Sequence, residues 1–255
     1  GAVLQSWTAA GGTADFTDCA MTSAGDHGIR FSMLTGTAVA ITNVAASATG
    51  ASGNGVHILT TSASSAFTMT KVDAASTNAQ GLFADDVSDS TIAIGGTSTF
   101  VGATIGLQAK AFTSSSLTIA LTTATGGTAQ GLLADDFDGS SALAVSTATL
   151  GSTSDNGLLV QNWAAAGGTV SVSDSTISSP ATSALVFTLL TGATGVLTLA
   201  VVVMMVRLGM RVVVMVVGVV AVAAVLDLAG VAEDGREPEE RPPRPPPPEH
   251  GALRR

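Results

Sequence analysis

The chain has 255 residues, of which 46% are hydrophobic and 11% charged, with a formal net charge of −9. Residues 1–200 hold 12 acids against three bases, Arg30, Lys71 and Lys110, so a nucleic-acid partner, whose phosphates need a basic face, is excluded. The single Cys19 excludes an internal disulfide and reads as a small core residue.

In chain order, a glycine recurs at Gly1, Gly28, Gly55, Gly81, Gly106, Gly131 and Gly157, with Ala184 in the eighth place, at intervals of 25–27 residues. The closest copies are QGLFADDV at Gln80–Val87 and QGLLADDF at Gln130–Phe137. A fixed period of this size is the mark of a solenoid. The residue after each glycine is Ala2, Ile29, Val56, Leu82, Leu107, Leu132, Leu158 or Leu185, and two further on stand Leu4, Phe31, Ile58, Ala84, Ala109, Ala134, Val160 and Phe187. Between them lies a mixed column, Val3, Arg30, His57, Phe83, Gln108, Leu133, Leu159 and Val186. Apolar, variable, apolar is a strand with one buried face. Six residues after the glycine a further apolar column holds Trp7, Leu34, Val87, Phe112, Phe137, Trp163 and Leu190, with Thr61 the exception.

A second alternating pair follows, from Ala14/Phe16 and Val39/Ile41 through Leu117/Ile119 to Leu197/Leu199, and a third anchor comes at Met21, Ala74, Phe100, Ala124, Leu150 and Ile177. Each copy is two or three short strands joined by Gly, Ser, Thr, Asn and Asp turns. A coil of about 26 residues cannot bury its inward side chains alone, so coils must stack, each strand pairing in parallel with its counterpart. The expected fold is all-β, a right-handed parallel β-helix of about eight coils over residues 1–200, about 35–40 Å long at one strand spacing per coil.

The stretch NGLLVQNW followed by GGTVSVSDSTIS, at 156–179, resembles a coil of pectin-lyase-like right-handed β-helix proteins. It is also similar to the repeats of bacterial autotransporter passenger regions and other surface adhesins. The resemblance implies a secreted or cell-surface location, and carbohydrate or host-surface ligands.

Among candidate chemical groups, the acidic pairs Asp85–Asp86 and Asp135–Asp136 are the sharpest, because β-helix polysaccharide hydrolases set one carboxylate as acid and another as base. The pairs lie two coils apart, roughly 9–10 Å by strand spacing. Lys110 falls at the same column in the coil between, so an Asp85–Lys110–Asp135 ladder alternating in charge is the structural reading, and it is preferred. Calcium among Asp86, Asp89, Asp136 and Asp138 is the weaker option, since no calcium nonapeptide is present. His27 and His57 occupy different columns with no acidic partner at ligand spacing, and neither a metal nor a cofactor is expected. Trp7 and Trp163 read as core rather than sugar platforms. The residues before each glycine (His27, Asn54, Gln80, Ile105, Gln130, Asn156, Ser183) include amides that could share hydrogen bonds from coil to coil. Outward Thr17, Thr42, Thr70, Ser146 and Ser173 suggest an ice-binding array, but Gly95 and Ala120 interrupt it.

Beyond the repeats, residues 201–230 are almost wholly apolar, broken by Arg207 and Arg211, and residues 231–255 are charged and Pro-rich and expected to be disordered. The run 196–226 could associate with a membrane as a stop-transfer anchor. Alternatively, VVVMMV and VVVMVVGVV are what GTG and ATG codons give when a Gly-Asp linker is read out of frame, and residues from about 201 onward are then a frame-shifted translation. The chain opens at Gly1 on a repeat boundary, which is read as a fragment of a longer array. The function expected is a non-catalytic structural or adhesive rod, the alternative being a polysaccharide lyase or hydrolase.

Overall fold

The computed structural model describes residues 1–164, 167–190, 196–208, 211–217 and 220–222. The described part is an all-β parallel solenoid of about seven turns. Coils are numbered here from the opening glycines, coil 1 at Gly1 to coil 7 at Gly157, with coil 8 opening at Ala184.

The first strand of each coil is in unbroken register with the next. One ladder runs Ala2, Ile29, Val56, Leu82, Leu107, Leu132, Leu158 and Leu185. The second strand stacks in the same way, as in Val39, Phe67, Ile92, Leu117, Leu143, Val170 and Leu197. A third strand is present in every coil from 1 to 7, carrying Met21, Ala46, Ala74, Phe100, Ala124, Leu150 and Ile177 one above another. The inward members of all three strands in coils 2 to 7 form one continuous core. Alternation therefore buries the columns that the sequence marks as apolar.

Three corners bend each of coils 1 to 7, and each is formed by one or two residues with positive φ. The first lies five positions after the glycine, at Ser6, Met33, Thr60, Asp86, Ala111, Asp136 and Asn162, with φ between 51° and 61°. A left-handed residue there reverses the side-chain alternation, which is why the next inward residue is six, not five, after the glycine. Its column, Leu34, Thr61, Val87, Phe112, Phe137 and Trp163, is fully buried. The second corner falls at Gly11, Gly36, Ala63–Ser64, Asp89, Ser114, Gly139 and Gly167, and the third at Asp18, Asn43, Lys71, Gly96–Thr97, Leu121, Thr147 and Asp174. The many Gly, Asn and Asp residues here are the types that tolerate this backbone.

The opening glycines have a steric cause. A Cβ on Gly81 would lie 2.7 Å from the carbonyl oxygen of Gly106 in the next coil and 2.7 Å from the backbone nitrogen of Val101, and Gly28, Gly55 and Gly106 are hemmed in alike.

Buried serines line the turn into the second strand. Ser65, Ser90, Ser115 and Ser141 are all inside. Ser115 Oγ accepts from the Ser90 N–H at 3.1 Å and lies 2.9 Å from the carbonyl oxygen of Thr113; Ser141 Oγ accepts from the Ser115 N–H at 3.2 Å and donates to Phe112 O at 3.0 Å. These hydroxyls satisfy backbone groups that the corner would otherwise strand.

In coil 8, Val196–Leu208 pairs in parallel from Thr169↔Val196 to Ser179↔Val206. Arg211–Val217 then runs antiparallel to it, from Val202↔Val217 to Leu208↔Arg211. Among the described residues no helix is long and apolar enough to cross a membrane. The expected disordered tail at 231–255 lies outside the described residues, and so do 209–210, 218–219 and 223–230 of the apolar stretch.

Candidate functional site

The four carboxylates singled out in the sequence occupy two kinds of position. Asp86 and Asp136 are the first-corner residues of coils 4 and 6, exposed and with φ of 56° and 61°. Their carboxylates are chosen by the bend, since short polar side chains tolerate left-handed backbone. Asp85 and Asp135 sit just before the corner, half-buried, and Lys110 lies between them in register.

The charge ladder is thus present in placement, yet its close ion pairs are not formed. Among the described residues the only pair within 4.0 Å is Asp26 with His27. Asp135 Oδ1 instead accepts from Asn162 Nδ2 at 2.8 Å. Burial raises the pKa of Asp85, opposed by the Lys110 charge and by a backbone hydrogen bond from Asp86. An upshifted carboxyl beside a second carboxylate could serve as a general acid. Among the described residues, no three His, Cys, Asp or Glu side chains form a group that could hold a metal ion; Asp138 Oδ1 accepts its neighbour's Gly139 N–H at 2.6 Å.

Two shallow hollows lie elsewhere on the surface. One, of about 410 Å³, follows the second corner through coils 3 to 6 and is lined by serines with Asp89 and Thr91. The other, of about 300 Å³, lies along the third corner of coils 1 to 3, beside Asp18, Asn43 and Lys71. Asp85, Asp86, Asp135 and Asp136 line neither.

The aromatic column is internal. Phe112, Phe137 and Trp163 stack face to face at 4.7 Å per step, and Trp163 is 3% exposed. Trp7 is partly buried against the same core. The outward hydroxyls Thr17, Thr42 and Thr70 are aligned, and Gly95 follows Thr70 in the next coil, as the sequence indicates.

The histidines depart from the sequence reading. Asp26 Oδ1 lies 3.0 Å from His27 Nε2, so His27 does have an acidic partner, its own neighbour in the turn. His27 Nε2 also lies 3.0 Å from His57 Nδ1 on the first strand of coil 3. The same offset, from the residue before one glycine to the second residue after the next, recurs where Gln80 Nε2 donates to Gln108 Oε1 at 2.9 Å. Stacked amides in the turn take a different form from a side-chain ladder: Asn54 N–H donates to His27 Nδ1 and Gln80 N–H to Asn54 Oδ1. The signal for these contacts was an offset of 28–30 residues rather than the repeat length.

No protein-family profile, curated protein or solved structure matches this chain.

Proposed function

We propose that the chain is a non-catalytic β-solenoid rod, secreted or held at the cell surface, of the kind seen in pectin-lyase-like and autotransporter-passenger repeats. It spaces or displays surface features and offers outward positions to carbohydrate or host-surface ligands; the apolar stretch 196–226 would supply attachment to a membrane. The observation that carries this reading is the continuity of the register. Ala66, Thr91, Ser116, Ala142 and Thr169 stack without an inserted residue, while the outward residues vary from coil to coil. Parallel ladders joined over many coils give stiffness, and variable outward columns give a surface without altering the core.

A second reading, a polysaccharide lyase or hydrolase, is favoured by one feature, the half-buried Asp85 with its raised pKa two coils below Asp135. Two strand spacings, about 9–10 Å, lie close to the separation inverting glycosidases use. Incubating the chain with uronate and with neutral oligosaccharides, and measuring product release for wild type and Asp135→Asn, separates the two. The rod reading expects no turnover from either protein. Turnover by wild type that Asp135→Asn abolishes would replace it with the enzymatic one.

A further inference from the structure

The rod reading leaves one cluster of titratable side chains without a role: Asp26 and His27 in the turn closing coil 1, and His57 on the first strand of coil 3. Its hydrogen bonds determine where the protons are. His27 Nδ1 accepts the backbone N–H of Asn54 at 2.9 Å, so a neutral His27 carries its proton on Nε2. That Nε2–H faces Asp26 Oδ1 and His57 Nδ1, each at 3.0 Å. His57 Nδ1 is therefore an acceptor, and the proton of His57 sits on Nε2, which is buried with no partner.

His57 is 8% exposed and enclosed on each side. Phe83 stacks on it from the coil above, ring centroids 5.2 Å apart and planes 6° apart. Arg30 lies in register below, its Nε also buried without a partner. The charged and titratable groups that face His57 are thus His27 and Asp26 from the turn and Arg30 from the strand beneath, while the strand above contributes only an aromatic ring.

This network closes only while His57 is neutral. A proton on His57 Nδ1 would set two N–H donors against each other at 3.0 Å. His27 could become an acceptor only by moving its proton to Nδ1, which then opposes the Asn54 N–H. Either way, one of the two hydrogen bonds that join the coils is lost.

We propose that Asp26, His27 and His57 form an acid-released latch, which ties the Asn54 N–H to the turn 24–27 through His27 while His57 is neutral and loosens that tie when His57 is protonated, the backbone bonds from Thr49 N–H to Ser23 O and from Gly28 N–H to Asn54 O remaining. The direction agrees with the surroundings. Burial first, then the charges of His27 and Arg30, lower the His57 pKa from 6.5 to about 4, with Asp26 opposing. When the turn opens, His57 returns toward its ordinary value, so acid drives opening. Between pH 7 and pH 5 the opening equilibrium then rises by roughly twentyfold.

The test is amide hydrogen exchange of Asn54 in the full chain, followed by NMR and corrected for the intrinsic pH dependence of exchange. Protection of this amide in the wild type is expected to fall by about twentyfold from pH 7 to pH 5. In His57→Phe, which keeps the stack on Phe83 and leaves only His27 to titrate, it should fall clearly less over that range. Wild-type protection that stays constant, or an equal fall in His57→Phe, would overturn the latch. Long-range 15N–1H spectra of the wild-type rings at pH 7 give an independent check should the variant not fold. Both histidines are expected as Nε2–H tautomers, and an Nδ1–H tautomer at either would overturn it.

Discussion

Phe137 lies face to face with Phe112 in the coil below, centroids 4.7 Å apart and planes 6° apart, and Trp163 continues the stack above. All three are inside the solenoid, so the column is a spine of the core and not a platform for ligands. Truncating its middle ring removes contacts to both neighbouring coils. Phe137→Ala should lower stability by about 3–5 kcal/mol, and Phe137→Leu by less. Denaturant unfolding monitored through Trp163 fluorescence measures both; equal, small effects would place the ring outside the core.

The opening glycine is required by packing along the axis. In Gly81→Ala the new methyl meets only backbone, Gly106 O and Val101 N at 2.7 Å and Phe100 C at 3.0 Å, so no side chain can swing aside. A loss on the order of 1–3 kcal/mol or more is expected in the thermal or denaturant midpoint. The same change at Gly95, whose added Cβ would meet only Ala120 O at 3.9 Å, should be tolerated.

The third corner offers a stabilising substitution. Leu121 holds φ of 48° and is 52% exposed, a combination that strains the backbone and presents an apolar side chain to solvent. Left-handed backbone costs an ordinary L-residue about 1–2 kcal/mol, and asparagine less. Leu121→Asn is therefore expected to raise the unfolding midpoint, by a fraction of that cost. A lowered midpoint would mean that Leu121 makes contacts the corner depends on.

Three groups should shape the pH dependence of stability: His27 and His57, both lowered by burial, in one sense and Asp85 in the other. His57 has a folded-state pKa of about 4 against 6.5, so between those values the unfolded chain binds a proton that the folded chain does not. Its contribution is complete above pH 6.5 and is lost as the pH falls toward 4, by roughly 3 kcal/mol at most. His57→Phe should flatten the stability profile in that window. Asp85 is raised, so the folded chain keeps this proton to higher pH than the unfolded chain, and ionisation at neutral pH works against folding. Asp85→Asn is expected to be more stable than wild type at pH 7 and to lose that advantage in acid. Urea midpoints across pH 4–8 test both.

The core columns could be read from residues because inward positions repeat in kind at a fixed interval: Leu82, Leu107, Leu132 and Leu158 are a single ladder in the structure. What the residues concealed lies at the corners. Asp86 and Asp136 suggested paired carboxylate chemistry, whereas their backbone shows residues selected for a left-handed bend. The serines of the turns read only as polar connectors, whereas Ser90 and Ser115 are buried and donate to backbone carbonyls. The meeting of His27 with His57 was invisible to a search at one repeat length, because the turn closing coil 1 reaches the first strand of coil 3, three residues off the period. Corner geometry and side-chain reach depend on φ and on coil height, which a periodic alignment does not contain.

The central claim is that residues one repeat apart lie directly above one another along a single axis. Thr68, Ala93, Thr118, Ala144 and Ser171 form one outward ladder of four steps. Nitroxide labels on cysteines at positions 68 and 171, in a Cys19→Ala background, should show by pulsed electron spin resonance a narrow distance distribution centred at about 19 Å, four strand spacings. A broad distribution, or one centred beyond about twice that spacing-derived value, would contradict the stacked solenoid.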